Sequence, residues 1–147
     1  LRYKLEKAIL KEGEKIVPEL PALWNNLFGL YFNGTRPPDD KQGILQDSHW
    51  SWGYFGYFPT YAIGNIISAQ LYAALKKEVG KAPFEQELHK GNFSIIQDWL
   101  RKNIHRHGKL YKTPELIEKA TGHPLSAISF MDEMRKRYRN VYQDRSL

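Results

Sequence analysis

The chain contains no cysteine. That excludes disulfides and thiolate metal sites, and it suits a reducing compartment such as the cytoplasm, the location expected here. No stretch reaches the roughly 18 uninterrupted apolar residues that a membrane-spanning helix needs. Alternating apolar and polar residues over strand lengths are missing, as are internal repeats and low-complexity tracts. A His-Glu-x-x-His pattern, which would set two imidazoles one helical turn apart around a metal, is also missing, and Glu87-Leu88-His89 does not replace it. The sequence therefore offers no metal site of its own. Charge is nearly missing from the middle of the chain: between Gly43 and Leu75 the only formally charged residue is Asp47, and the only histidine is His49.

What is present is ordinary for a globular protein of one domain. The 147 residues are 41% hydrophobic and 26% charged, enough to bury a real core. Helical spacing dominates, and the expected fold class is all-α. Residues 1–12 carry an apolar side of Tyr3, Leu5, Ala8 and Ile9, closed by Gly13. Because the first residues already read as helix, the chain is expected to begin inside a longer protein. Pro18 is placed to start a helix running to about Tyr31, with Leu20, Leu23, Trp24, Leu27, Phe28 and Tyr31 as its core stripe. Residues 33–40 are a loop, and 43–59 have no clean period, so they read as an irregular or partly helical, aromatic-rich loop. A long helix over about 60–79 is apolar on most sides and is expected to be buried. Shorter helices follow at 83–89, at 93–107 with Asn92 as cap, and at 113–121 with Thr113 as cap. A last helix runs from a Ser126 cap to about Tyr142, with Ile128, Met131, Met134, Tyr138 and Val141 inward.

The net charge is +6, with basic runs at Lys76-Lys77, Arg101-Lys102 and 135–139. Basic patches beside aromatics can bind nucleic acid. These runs, however, fall in the last turns of predicted helices, where cations complement the helix dipole, or on solvated faces. No nucleic-acid partner and no membrane partner is expected. His105 and His107 lie about 200° apart on a regular helix and cannot share an ion; they read as C-terminal capping cations.

The charge-poor stretch carries the chemistry. Seven of the twelve residues from Trp50 to Tyr61 are aromatic. A carboxylate and an imidazole among such rings cost free energy unless each finds a partner. In extended backbone Asp47 and His49 would point the same way, and the carboxylate could fix the imidazole's tautomer. His49 could then donate to a substrate carbonyl or oxyanion, and Tyr57 or Tyr61 could supply a second donor. The other reading is a satisfied structural network with His49 packed in the core, and the residues alone favour that one. Trp50 and Phe58 read as packing residues, and Gln46 as a loop-holding or supporting contact.

Gly43-Ile44-Leu45-Gln46-Asp47-Ser48-His49-Trp50 resembles the Gly-x-x-Gln-Asp-x-His-Trp motif of the thermostable carboxypeptidase (carboxypeptidase Taq) family of zinc metallopeptidases. The stretches Gly56-Tyr57-Phe58-Pro59-Thr60-Tyr61 and Gly91-Asn92-Phe93-Ser94, with later segments to Tyr111, are also similar to it. One departure is the bulk of Trp52 and Tyr54, where smaller residues are expected. The resemblance implies the C-terminal part of an enzyme that removes single residues from peptide C-termini. The zinc-binding helix would lie upstream, outside this chain. It implies that the motif lines the substrate cleft, with His49 and Tyr57 catalytic and Gln46, Asp47, His49, Trp50, Tyr57 and Tyr61 contacting substrate. Expected partners are a peptide substrate, the N-terminal part of the same protein and, as the family is usually homodimeric, a second copy. The chain alone is expected to be inactive. The alternative function is a helical binding module that uses residues 50–61 as a platform for a peptide or nucleic acid.

Overall fold

A computed structural model describes residues 1–142. Among them there are helices and turns but no strand, so the protein is all-α. Two compact units divide the chain, Leu1–Ala62 and Ile63–Leu147.

In the first unit α1 spans Arg2–Glu12. It ends where Gly13, at φ +64°, takes a backbone conformation that a side chain would strain, and its N–H caps the Ile9 carbonyl. A 3-10 segment, Gly13–Glu19, follows and contains Pro18. The second helix, α2, spans Leu20–Tyr31 with a proline in its first turn. The start expected at Pro18 is thus two residues early, because Pro21 supplies the missing-donor position at the true N-terminus. Leu5, Trp24 and Ile44 form the buried core, with Leu20, Leu23, Leu27, Phe28 and Trp50 packed on it. Each such side chain, fully buried, contributes about 1.5–3 kcal/mol. Gly43 lets the next segment reach this core: a Cβ there would sit 3.0 Å from the Asp39 carbonyl oxygen, 3.1 Å from Pro37 Cγ and 3.3 Å from Trp24 Nε1.

Residues 43–59 are irregular and partly helical, as their sequence indicates. Ile44–Gln46 is a 3-10 turn and Ser48–Ser51 is a single helical turn, α3. The chain then leaves α3 through Gly53 at φ +75°, with the Tyr54 N–H returning to the His49 carbonyl at 2.9 Å.

The long helix α4 spans Pro59–Val79. Its expected burial is not what the structure shows. Only Gln70 and Leu75 are buried, while Tyr61, Ile63 and Tyr72 are exposed. The helix is apolar on most sides, but the described residues cover only part of its circumference.

The second unit builds its core from Leu75, Phe84 and Trp99, flanked by Leu71, Ala74, Leu88, Ile96 and Leu100. Its other helices are α5 (Lys81–His89), α6 (Ser94–Asn103), α7 (Thr113–Thr121) and α8 (Ile128–Tyr142). The expected helix 93–107 is shorter because Ile104 leaves helical geometry, and His105–His107 continues as a 3-10 turn. At α7 the cap is Lys112 rather than Thr113, with the Glu115 carboxylate accepting from the Lys112 N–H at 3.2 Å. Ser126, the cap expected for α8, lies one residue before the cap position, and its hydroxyl accepts from the Ile128 N–H at 3.3 Å. The side chains expected inward on α8 are not: Ile128, Met131, Met134, Tyr138 and Val141 are all exposed. Their spacing marks one apolar side, but the described residues leave it largely uncovered. No helix among the described residues is long and apolar enough to cross a membrane.

One buried glutamine ties α4 to the turn after α7. Gln70 Nε2 donates toward Thr121 Oγ1 and the His123 carbonyl, both at 3.0 Å, and toward the Pro124 carbonyl at 3.1 Å. Its Oε1 accepts from the Ser126 N–H at 2.9 Å. Gln70→Leu keeps the volume but strands these groups, so it should destabilise the protein by about 1–3 kcal/mol in urea unfolding. A second tie is pH-dependent. The Glu78 carboxylate accepts from Lys102 Nζ at 2.9 Å and from Trp99 Nε1 at 2.6 Å, and these bonds, the lysine's first, hold its pKa below the ordinary carboxylate value. A depressed folded-state pKa contributes stability that is present above the unfolded pKa and is lost as pH falls through the folded one. Glu78→Gln should therefore narrow its deficit against wild type in thermal unfolding as pH drops below about 4.3, the ordinary glutamate value.

Candidate functional site

The first unit brings most of the expected site residues together around Asp47. Its backbone is extended, at φ −87° and ψ 98°, and it N-caps α3. Its side chain has no exposed surface. Oδ1 accepts from the His49 backbone N–H at 2.9 Å and lies 3.0 Å from His49 Nδ1. The pairing anticipated from an extended run thus arises differently. His49 is in the helical turn that Asp47 caps, and one carboxylate oxygen serves both its backbone and its ring. Oδ2 lies 3.4 Å from Arg2 Nε, an ion pair that lacks hydrogen-bond alignment.

This arrangement makes Nδ1 of His49 the protonated nitrogen, since an ionised carboxylate can only accept. Nε2 is then free to exchange a hydrogen bond. It faces the Tyr61 hydroxyl at 3.4 Å. The imidazole is not walled off: its side chain keeps 21% exposure. Three rings fix its plane. Tyr57 stacks at 5.3 Å with a 27° interplanar angle, Phe58 meets it edge-on at 5.6 Å, and Tyr61 at 5.9 Å. The Tyr61 phenol is held above its ordinary pKa, first by partial loss of hydration and then by the neighbouring Tyr57 phenol. Tyr61 therefore remains a neutral hydroxyl, able to donate, across the neutral range.

The remaining expected residues play other parts. Gln46 is exposed, and its side chain donates to the Lys41 carbonyl, holding the loop. Trp50 is half-buried against Trp24, with ring centroids 6.4 Å apart, and its Nε1 donates to Glu6 Oε1 at 3.0 Å. Tyr57 and Tyr61 are half exposed, and Trp52 is the most open of the rings at 74%. Arg2 and Glu6 are absent from the sequence reading. Both come from α1, and the Arg2 guanidinium lies 4.1 Å over the Phe58 ring. A signal was available: on a helix Arg2 and Glu6 share the side that carries Leu5 and Ile9, so their charges stand on an apolar face.

Among the described residues no group of three or more His, Cys, Asp or Glu side chains could hold a metal ion.

A family profile described as Carboxypeptidase Taq (M32) metallopeptidase matches residues 1–138. The chain is 42% identical over 138 residues to thermostable carboxypeptidase 1 of Pyrococcus furiosus, covering 94% of this chain and 27% of that protein. It is 40% identical to carboxypeptidase 1 of Bacillus subtilis, covering 97% and 28%. The crystal structure of the M32 carboxypeptidase from Deinococcus radiodurans superposes with a TM-score of 0.86 at 36% identity, again over 97% of this chain and 28% of that one. The chain thus spans little more than a quarter of the relatives it matches. With nearly its whole length inside the family profile, it belongs to the carboxypeptidase Taq metallopeptidase family.

Proposed function

We propose that this chain is the part of a metal-dependent carboxypeptidase that meets the peptide substrate, and that it acts with polypeptide supplying the metal site. The observation that carries the proposal is the Asp47–His49 pair. Its Nδ1 is committed to the carboxylate at 3.0 Å while its ring keeps a solvent-facing edge. A histidine held that way presents one nitrogen to a ligand in a fixed direction, as a group that must meet a peptide does.

The described residues do not fit the metal that the family implies. The buried carboxylates are already engaged, Asp47 by His49 and Arg2 and Glu6 by Trp50, and no third ligand converges on either. The chain's own contribution is binding and orientation. Neutral His49 accepts at Nε2, and as imidazolium it donates there, with Asp47 compensating the charge. Substrate carboxylate or developing oxyanion would meet the donor form. Tyr61 supplies a hydroxyl beside the same nitrogen, and Tyr57 covers one face of the ring against water. His49 and Tyr57 are the proposed catalytic residues. Gln46, Asp47 and Trp50 act through the loop that carries His49. Zinc, the peptide substrate and a homodimeric, cytoplasmic assembly belong to the same proposal.

The exposed rings Trp52, Tyr54, Phe55, Tyr57 and Tyr61 favour one second reading, a peptide-binding platform that needs no metal. Tryptophan fluorescence titration with a peptide in the presence of a chelator separates the two: saturable quenching would favour the platform.

The 147-residue chain incubated with a peptide and added zinc should release no C-terminal residue by mass spectrometry. Metal-dependent release would overturn the division of labour proposed here. In a chain carrying both this segment and the metal site, His49→Ala should lower kcat about 100-fold, on the order of 3 kcal/mol of lost charge stabilisation. Its melting temperature should change little, and matched losses in turnover and stability would point to a packing role instead.

A further inference from the structure

We infer that Arg2 is a positioning residue for His49, acting through Asp47 and Phe58. The inference rests on the reading of His49 as the group that meets substrate. Its structural basis is a clamp made by one guanidinium. Arg2 Nε lies 3.4 Å from Asp47 Oδ2, and the guanidinium carbon lies 4.1 Å over the Phe58 ring. Both partners touch the imidazole: Asp47 Oδ1 lies 3.0 Å from Nδ1, and Phe58 meets the ring edge-on at 5.6 Å. The guanidinium therefore reaches His49 from two sides without touching it. One helical turn along α1, Glu6 Oε1 accepts from Trp50 Nε1 at 3.0 Å. Two side chains of one helix thus grip the two ends of the Asp47–Trp50 segment, with His49 between them.

The physical need for this clamp is charge compensation. Asp47 has no exposed side-chain surface, and its Oδ2 has no aligned hydrogen bond. A carboxylate so placed costs free energy unless an opposite charge or a donor lies beside it. An ionised carboxylate can only accept, so His49 carries its proton on Nδ1 and leaves Nε2 as the accepting nitrogen, facing the Tyr61 hydroxyl. Without the arginine the buried carboxylate loses the one charge that faces Oδ2, so nothing outside the His49 turn fixes its orientation, and the imidazole is released to take the other tautomer, with its proton on Nε2. Loss of the flat guanidinium also frees Phe58, one of the three rings that hold the imidazole plane. Lysine could restore the charge but not the stack, because its ammonium is a compact point charge.

The test reads the imidazole itself, so it stands apart from any failure of peptide turnover or binding. The 147-residue chain is labelled with nitrogen-15, and long-range proton–nitrogen correlations of the ring are recorded at neutral pH. The His49 signals are identified by their loss in His49→Gln. Wild type should show Nδ1 as the proton-bearing nitrogen. Arg2→Gln should move the two ring nitrogens toward each other or exchange their pattern, with helical circular dichroism retained. Arg2→Lys should lie between. An unchanged His49 pattern in folded Arg2→Gln overturns the inference. Should Arg2→Gln fail to fold, Arg2→Lys decides. A folded variant with a shifted pattern supports the clamp, and a folded variant identical to wild type overturns it. If Arg2→Lys also fails to fold, Arg2 serves folding and not positioning, and the inference falls.

Discussion

A carboxylate with no solvent-facing surface dominates the first unit. Asp47 has to be compensated where it sits, and its surroundings supply that on each side. Oδ1 takes the His49 N–H in the single turn of α3 and the His49 imidazole, and Oδ2 faces a guanidinium. Removing any one of these leaves buried charge under-paired, at about 1–3 kcal/mol for a lost partner. The same residue therefore ends the irregular approach from Gly43, starts a helical turn and orients a histidine. These functions are inseparable because they use the same two oxygens.

The core beneath that carboxylate serves the same end. Leu5 and Trp24 are buried against Ile44, and Gly43 lets the loop come within van der Waals distance of Trp24 Nε1. That close approach brings Asp47 beside α1. Trp50 then packs edge-on to Trp24 and hands its N–H to Glu6. The polar contacts are short-range and directional, while the aromatic contacts are broad. Together they leave the segment 47–50 little freedom.

Much of this was legible in the sequence, and the parts that were not have physical reasons. The lack of charge from Gly43 to Leu75 singles out Asp47 and His49, and Gly13 marks the real end of α1. The Asp47–His49 contact was anticipated through strand-like alternation, whereas it comes from an N-cap. Both geometries bring residues two apart together, so composition cannot distinguish them. The sequence does not single out Arg2 and Glu6, because charged residues on a helix usually face water. On α4 and α8 the apolar side was read correctly and its burial was not. Periodicity says which side of a helix is apolar; it carries no information on whether a neighbour lies over that side.

That distinction bears on what a chain spanning little more than a quarter of its relatives can specify. Every contact that orders His49 comes from residues of Leu1–Ala62: a cap, an ion pair and three rings, each within reach of the next. Such an arrangement needs no distant element to choose the imidazole's tautomer, because the nearest ionised carboxylate has already done so. A metal centre asks for something else, several ligands converging on one point. The buried carboxylates here are instead engaged one by one, Asp47 with a guanidinium and an imidazole, Glu6 at Oε1 with an indole. The two demands conflict at Asp47, since an acid already paired to a cation is a poor ligand for another. Orienting His49 and holding a metal are thus assigned more readily to different stretches of polypeptide than to one.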